Sequence, residues 1–300
     1  MIAIVRRSFW RTDIAIDLGT AVTRVALGES APLVRPSLAD GTQALRSGVV
    51  ADPDATVAVL RPLIRAATKF GIIRPKALVC VPTDVNEQER EAVVDCLIRA
   101  GASTTVVVPE PLAAAIGSGV DMLSPYAHMI LDIGEGVTDC AIIKEGAIIA
   151  SRAVRVGCCE LREAVKKGVM EKWSISVTHD AAEYGMRNFD ISYPYRDKEY
   201  EQDNPITKWL PATQLYYSIE PVIKTMLSGV TTLLREIQNE LYCDIIDSGI
   251  VISGGGALLP GMRERVSAET GLKVCLAPDP LNAVVIGARS ILPFASMLDF

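Results

Sequence analysis

The sequence predicts an α/β fold that is internally duplicated, two related halves of alternating strand and helix. Three observations carry the expectation. An apolar strand running into an acidic-glycine turn occurs twice, at Ile14-Ala15-Ile16-Asp17-Leu18-Gly19-Thr20 and at Met129-Ile130-Leu131-Asp132-Ile133-Gly134-Glu135-Gly136-Val137-Thr138-Asp139. Each opening is followed by alternating β and α signals instead of runs of one kind. A third glycine cluster, Gly254-Gly255-Gly256, follows another apolar strand, Ile250-Val251-Ile252-Ser253.

Taken in order, residues 14–16 and 23–27 read as two strands around the first turn, and residues 29–48, punctuated by Gly, Pro and Ser, read as loop. Residues 54–70 read as a helix, because Val57, Leu60, Leu63, Ile64 and Ala67 recur at spacings of three and four. A buried strand at 77–81 ends at Pro82; Thr83 or Asp84 is then the expected cap of a helix over 87–100 that stops at Gly101. A strand at 104–108 leads to a helix at 112–116, entered through Pro111. The second half opens on a three-stranded meander, 130–132, 139–144 and 147–156, turning at Glu145-Gly146. Helices near 159–171 and 181–185 follow, then an irregular stretch at 189–211 holding Pro194, Pro205 and Pro211. A long helix at 214–241, a strand at 250–252, a helix at 260–270, a strand at 274–276 and a helix at 282–292 complete the chain.

Composition narrows the function classes. Three hundred residues at 49% hydrophobic and 22% charged can bury a large core and suit two domains. A net charge of −6 argues against nucleic acid as the main partner, since that role needs clustered Lys and Arg. The seven cysteines are scattered without a CxxC pair and read as reduced core thiols, with adjacent Cys158-Cys159 as the one redox candidate. Two distant histidines, His128 and His179, favour neither a zinc site nor a Ser-His-Asp triad. No apolar run reaches the roughly 18 residues of a membrane span. Residues 1–11 mix Ile2, Val5, Phe9 and Trp10 with Arg6, Arg7 and Arg11, the pattern of a helix lying in a lipid interface; an extra helix packed on the body is the other reading.

The turns point to phosphate chemistry. Glycine lets backbone N–H groups approach a phosphate closely, and an aspartate leading the turn can hold hydrated Mg²⁺ beside it. The expected metal carboxylates are Asp17 and Asp132, through water, with Glu135 a third nearby. The expected phosphate-cradling positions are Gly19, Thr20 and Ala21 in the first turn, and Gly134, Gly136, Val137 and Thr138 in the second. Two tight hairpins with glycine for geometry alone is the structural alternative. Glu110, between an apolar strand and a helix, is the candidate for orienting an attacking water; the alternative is an acid placed there for the helix dipole. Gly254, Gly255, Gly256 and Ala257 are expected to admit a flat ligand, and Glu183 to accept from ribose hydroxyls, unless it is a solvated helix acid. The chain has neither GxxxxGK[ST] nor a GxGxxG opening a βαβ unit, which removes P-loop and dinucleotide readings.

In sequence order, DLGTAVT (17–23), EPLAAAIGSG (110–119), DIGEGVTD (132–139), SGGGALLPG (253–261) and DPLNAVVIGA (279–288) resemble the actin-like ATPase superfamily. The stretches at 80–102 and 151–157 resemble the bacterial MreB family of rod-shape cytoskeletal proteins. The resemblance implies an actin-like fold, two duplicated domains around a nucleotide cleft, and a membrane-attached polymer that hydrolyses ATP with Mg²⁺. It implies that Asp17 and Asp132 bracket the metal, Glu110 positions water, and Glu183 lies on the helix touching ribose and purine. Four departures stand out. The second turn reads GEG where the family usually has GGG, and Pro109 replaces an acid. Tyr184-Gly185-Met186 stands where a lysine is usual, and residues 28–49 are short where the family carries much of a small subdomain, IB, here expected to be reduced or absent.

The expected organisation is a basic leader at 1–11, a first domain at 12–150 completed by 281–300, and a second at 151–280 with 181–241 as its smaller subdomain. The expected partners are further copies of the chain in a filament, a lipid membrane through the leader at the inner face of the cell membrane, and membrane-bound proteins. Competing readings are a non-polymerising, chaperone-like or reactivating ATPase of the superfamily, and a nucleotide-binding scaffold without turnover. Fold alone does not choose among these.

Overall fold

Two five-stranded sheets of identical topology organise the chain. The computed structural model describes residues 13–68, 70–188, 191 and 212–297. The chain divides into two compact units: the first runs to Met122 and resumes at Leu281, and the second spans Leu123–Pro280. Unit 1 comprises β1 (Ile14–Leu18), β2 (Val22–Leu27), β3 (Leu33–Pro36), β4 (Leu38–Ala39), β5 (Thr42–Gln43), β6 (Leu45–Arg46), β7 (Val49–Val50), α1 (Pro53–Ala67), β8 (Lys76–Val81), α2 (Glu87–Ala100), β9 (Thr104–Pro109) and α3 (Glu110–Gly117). Unit 2 holds β10 (His128–Ile133), β11 (Thr138–Lys144), β12 (Ala147–Val154), α4 (Cys158–Trp173), α5 (His179–Arg187), α6 (Ala212–Glu236), α7 (Asn239–Ser248), β13 (Ile250–Ser253), α8 (Met262–Thr270) and β14 (Val274–Leu276). The chain then returns to unit 1 as α9 (Ala283–Ile291).

The first sheet runs β3-β2-β1-β8-β9 and the second β12-β11-β10-β13-β14. In each, an antiparallel hairpin leads, and its first strand pairs in parallel with a strand reached through helices. β1 is buried along its whole length, and β10 from Met129 onward, as expected of central strands covered on both faces. The cores are separate clusters. One gathers Ile14, Ile16, Leu60, Ile64, Val79 and Leu97; the other gathers Leu131, Ile142, Val165, Ile223, Val230 and Ile252. Each such side chain contributes about 1.5–3 kcal/mol on burial.

Five expectations are corrected. The domain boundary set at 150 falls at Met122/Leu123, because the β10–β12 meander pairs with β13 and so belongs to the second sheet. Residues 29–48 are not simple loop: β3 extends the first sheet by pairing with β2, and β4–β5 and β6–β7 form two short ladders. Neither Thr83 nor Asp84 caps α2; Asn86 does, accepting from the Glu89 amide while the Glu89 carboxylate accepts from the Asn86 amide. The long helix over 214–241 is two helices, broken between Glu236 and Asn239. The helix read at 112–116 begins two residues earlier, at Glu110, since Pro111 suits a second helical position as well as a first. The irregular stretch at 189–211 lies outside the described residues except for Ile191.

Candidate functional site: two acidic-glycine turns

In unit 1, Asp17 stands near the end of β1, 8% exposed, opposite Arg24 on β2 and beside Cys80 on β8. Arg24 Nη1 lies 3.5 Å from Asp17 Oδ2, a long pair that partly offsets the carboxylate's charge. The hairpin joining β1 to β2 carries Gly19, Thr20 and Ala21. A Cβ on Gly19 would approach Val22 O to 2.8 Å, so this glycine serves the turn itself. The 37–48 segment wraps the hairpin. Ser37 Oγ donates to Gly19 O at 2.6 Å, Gln43 Nε2 donates to Thr20 O at 2.5 Å, and Gly48 N donates to Thr20 Oγ1 at 2.9 Å. Those partners lie in the stretch read as loop, Ser37 between β3 and β4 and Gln43 at the end of β5.

Glu110 is the first residue of α3, 9% exposed, directly after β9. Its helix is fixed by close packing on α9. A Cβ at Gly117 would fall 1.9 Å from Ala283 O, and one at Gly287 would fall 1.8 Å from Ala113 O. The glycines of EPLAAAIGSG and DPLNAVVIGA therefore let two helix backbones touch, which anchors the helix that Glu110 begins.

In unit 2, Asp132 is 7% exposed and pairs in register with Ser253, whose Oγ donates to Asp132 Oδ1 at 2.6 Å. The turn after it is locked on the N-terminus of α4. Gly134 N donates to Val137 O at 2.8 Å; Cys158 N donates to Gly134 O at 3.1 Å and Cys159 N to Glu135 O at 2.8 Å. Gly157 permits this approach, since a Cβ there would sit 2.5 Å from Glu135 O. Thr138 Oγ1 donates to Val156 O at 2.8 Å, so the hydroxyl expected to face a phosphate ties down the chain beyond β12.

The glycine cluster after β13 is packed closely against β10. Gly254 has φ +81°, and a Cβ there would lie 2.3 Å from Ile133 O; a Cβ on Gly256 would meet Ile133 Cγ2 at 2.2 Å. These two glycines let the β13 turn press against β10, and Ala257 is buried beside them. Gly255 starts a 3-10 turn ending at Leu258.

Glu135 and Glu183 are brought together by a residue that pattern reading missed. Arg162 of α4, 4% exposed, forms ion pairs with Glu135 through Nη2 and with Glu183 through Nη1, the second at 2.6 Å. Glu183 also accepts from Arg187 Nε at 2.7 Å. Burial would raise the Glu183 carboxyl, but the hydrogen bond and charge of Arg162, joined by Arg187, hold it below its usual value. Glu183 is thus neither a plain solvated acid nor a lone acceptor. Arg162 carried little signal, since a single arginine on a polar helix usually faces water. No disulfide forms among the described residues, and burial pushes the Cys158 thiol up to about 12, which disfavours a thiolate at Cys158.

A family profile described as MreB/Mbl protein matches residues 36–299. The chain belongs to the MreB/Mbl family. The cell shape-determining protein MreB of Escherichia coli (strain K12) is 28% identical over 333 residues, covering 97% of this chain and 96% of that protein. Among solved structures, MreB5 of Spiroplasma citri bound to ADP is similar with a TM-score of 0.81 at 25% identity, covering 94% of this chain and 96% of that one. The MamK double helical filament is similar with a TM-score of 0.77 at 18% identity, covering 96% and 100%. The fold is that of the actin-like proteins, and MreB/Mbl relatives align along nearly the whole chain. The leader at 1–11 lies outside the described residues, and no described helix is long and apolar enough to cross a membrane.

Proposed function

We propose that this MreB/Mbl chain binds ATP with Mg²⁺ at its two acidic-glycine turns, hydrolyses it slowly, and assembles head to tail into filaments at the inner face of the cell membrane. The observation that carries the reading is the duplicated carboxylate. Asp17 and Asp132 occupy equivalent, nearly buried positions on the central strands of two sheets of one topology. A buried acid recurring at the same position of both central strands is what metal and phosphate binding at both turns would require. The donor set is all oxygen, which suits Mg²⁺ held through water; bound there, the metal would neutralise charge on the phosphates. ADP in the Spiroplasma citri structure and the MamK filament support nucleotide binding and self-association. In the second turn the Gly134 amide is engaged within the hairpin, so the amides of residues 135–137 are those the phosphates would draw on. Glu110 orients the attacking water from the start of a helix held rigid on α9. The short 28–49 segment takes the place of the family's small subdomain. The leader supplies lipid contact through its aromatic and arginine side chains.

Pelleting and electron microscopy of the full chain with and without ATP·Mg²⁺ test the reading; filaments are expected. Soluble monomers that turn over ATP would instead favour a chaperone-like ATPase, and binding without turnover a scaffold. Glu110→Ala is expected to slow phosphate release by about 10²-fold or more with nucleotide affinity retained. Removing residues 1–11 is expected to abolish co-sedimentation with anionic liposomes, and binding that survives would remove the leader from this role.

A further inference from the structure

Glu135 puts a carboxylate between the two glycines of a turn that, on the reading above, must accept a polyphosphate. Left alone, that charge would oppose the ligand. It is not alone. The Arg162 guanidinium, almost wholly buried, pairs with Glu135 on one side and with Glu183 on the other, and Glu183 pairs onward with Arg187. The row Glu135–Arg162–Glu183–Arg187 alternates in sign and sums to zero.

The backbone supplies an independent reason why Arg162 reaches this turn. The first amides of α4 already donate to the carbonyls of Gly134 and Glu135. Arg162 lies four residues after Cys158, on the same helix face, so it rises toward the same turn. Arg162 Nε has no hydrogen-bond partner among the described residues. A buried donor left over costs stability, so the two carboxylates, not full satisfaction, hold the guanidinium in place. Resting on the nucleotide reading, we propose that Arg162 is a positioning residue that neutralises Glu135 and draws its carboxylate toward α4, keeping the 134–137 turn open to a polyphosphate. The GEG turn is then functional because of a second residue 27 positions away, and the two form one unit.

The test is a double-mutant cycle read by calorimetric binding of ATP·Mg²⁺ and ADP·Mg²⁺ to the full chain. Arg162→Met is expected to weaken ATP by at least about tenfold, because it leaves an unpaired carboxylate beside the phosphates. The loss is expected to be larger for ATP than for ADP, since the repulsion grows with ligand charge; a purely structural role would weaken both alike. Glu135→Gly with Arg162→Met is expected to restore ATP affinity to within about threefold of the parent. A parent chain that binds neither nucleotide overturns the nucleotide reading and this inference with it. A parent that binds, with Arg162→Met equally tight or the double variant as weak as the single, overturns the inference alone. Should Arg162→Met fail to fold, the double variant decides: restored binding supports the proposal, and a folded double variant that binds weakly overturns it.

Discussion

Asp17 and Asp132 occupy matching positions in matching sheets, yet their surroundings were built by different means. Asp17 faces an arginine 3.5 Å away across its hairpin, has a cysteine beside it, and its turn is wrapped by polar side chains from residues 37–48. Asp132 takes a 2.6 Å hydrogen bond from a buried serine, and its turn is pinned by a helix N-terminus and by two glycines pressed against Ile133. The first turn is held by side chains and the second by backbone. Backbone clamping leaves little room for adjustment, while side-chain clamping tolerates exchange with water. The duplication therefore preserves where the carboxylate stands and not how it is secured.

The comparison breaks most visibly at glycine. Gly254→Ala brings a Cβ against the Ile133 backbone at a positive φ, and is expected to cost about 3 kcal/mol or more, or to prevent folding of unit 2. Gly19→Ala, whose clash is with a single carbonyl at 2.8 Å, is expected to cost less. Urea denaturation of both variants checks this, and equal losses would show the two turns to be equally rigid. Next comes the carboxylate itself. Ser253→Ala removes a buried hydrogen bond to a carboxylate and is expected to cost about 1–3 kcal/mol. Arg24→Met removes the long, partly solvated pair to Asp17 and is expected to cost about 1 kcal/mol or less. The reverse ranking in the same denaturation experiment would mean that Arg24, not the turn segment, secures the first half.

Much of this architecture was legible before the structure, for physical reasons. Periodicity placed α1 and apolar runs placed each central strand, because Leu60, Ile64, Leu131 and Ile252 have to meet a core at fixed spacing. The repeated strand-Asp-Gly pattern exposed the duplication and both carboxylates. What stayed hidden was long-range. Nothing local to Glu135 announces Arg162, and nothing local to Asp132 announces Ser253 from 121 residues away. The ladders inside 29–48 escaped because their strands are two to four residues long, too short for a period to show. The packing of Gly254 and Gly256 on Ile133 was hidden for the same reason: a sequence shows that a Cβ is missing but not which neighbour fills its place.

A smaller effect separates the halves by pH. The folded Glu183 carboxyl is held below its reference value of 4.5, so the unfolded chain binds its proton more readily. The resulting stabilisation is fully present above that reference value and is lost as pH falls through the lower folded value. Unit 2 is expected to show this acid sensitivity, and Arg162→Met to reduce it, as followed by the urea midpoint between about pH 6 and pH 3. An unchanged pH profile in Arg162→Met would place the source elsewhere.

The smallest expected effect tests the other side of the comparison. Gln43 is exposed, and its amide reaches Thr20 O at 2.5 Å on the outside of the first turn. In Gln43→Ala, water can replace the lost donor, so the expected cost is within about 0.5 kcal/mol. Ser37 differs, because it is fully buried, donates to Gly19 O, and shares a 2.9 Å hydrogen bond with the Thr23 hydroxyl. Ser37→Ala is therefore expected to exceed Gln43→Ala by about 1 kcal/mol while staying below Gly254→Ala. Amide hydrogen exchange across residues 18–24 gives the finer reading. Gln43→Ala is expected to speed exchange there without moving the global midpoint, the signature of a turn clamped by replaceable contacts. A shift of the midpoint as large as that of Ser253→Ala would instead make the 37–48 segment as firm a clamp as α4.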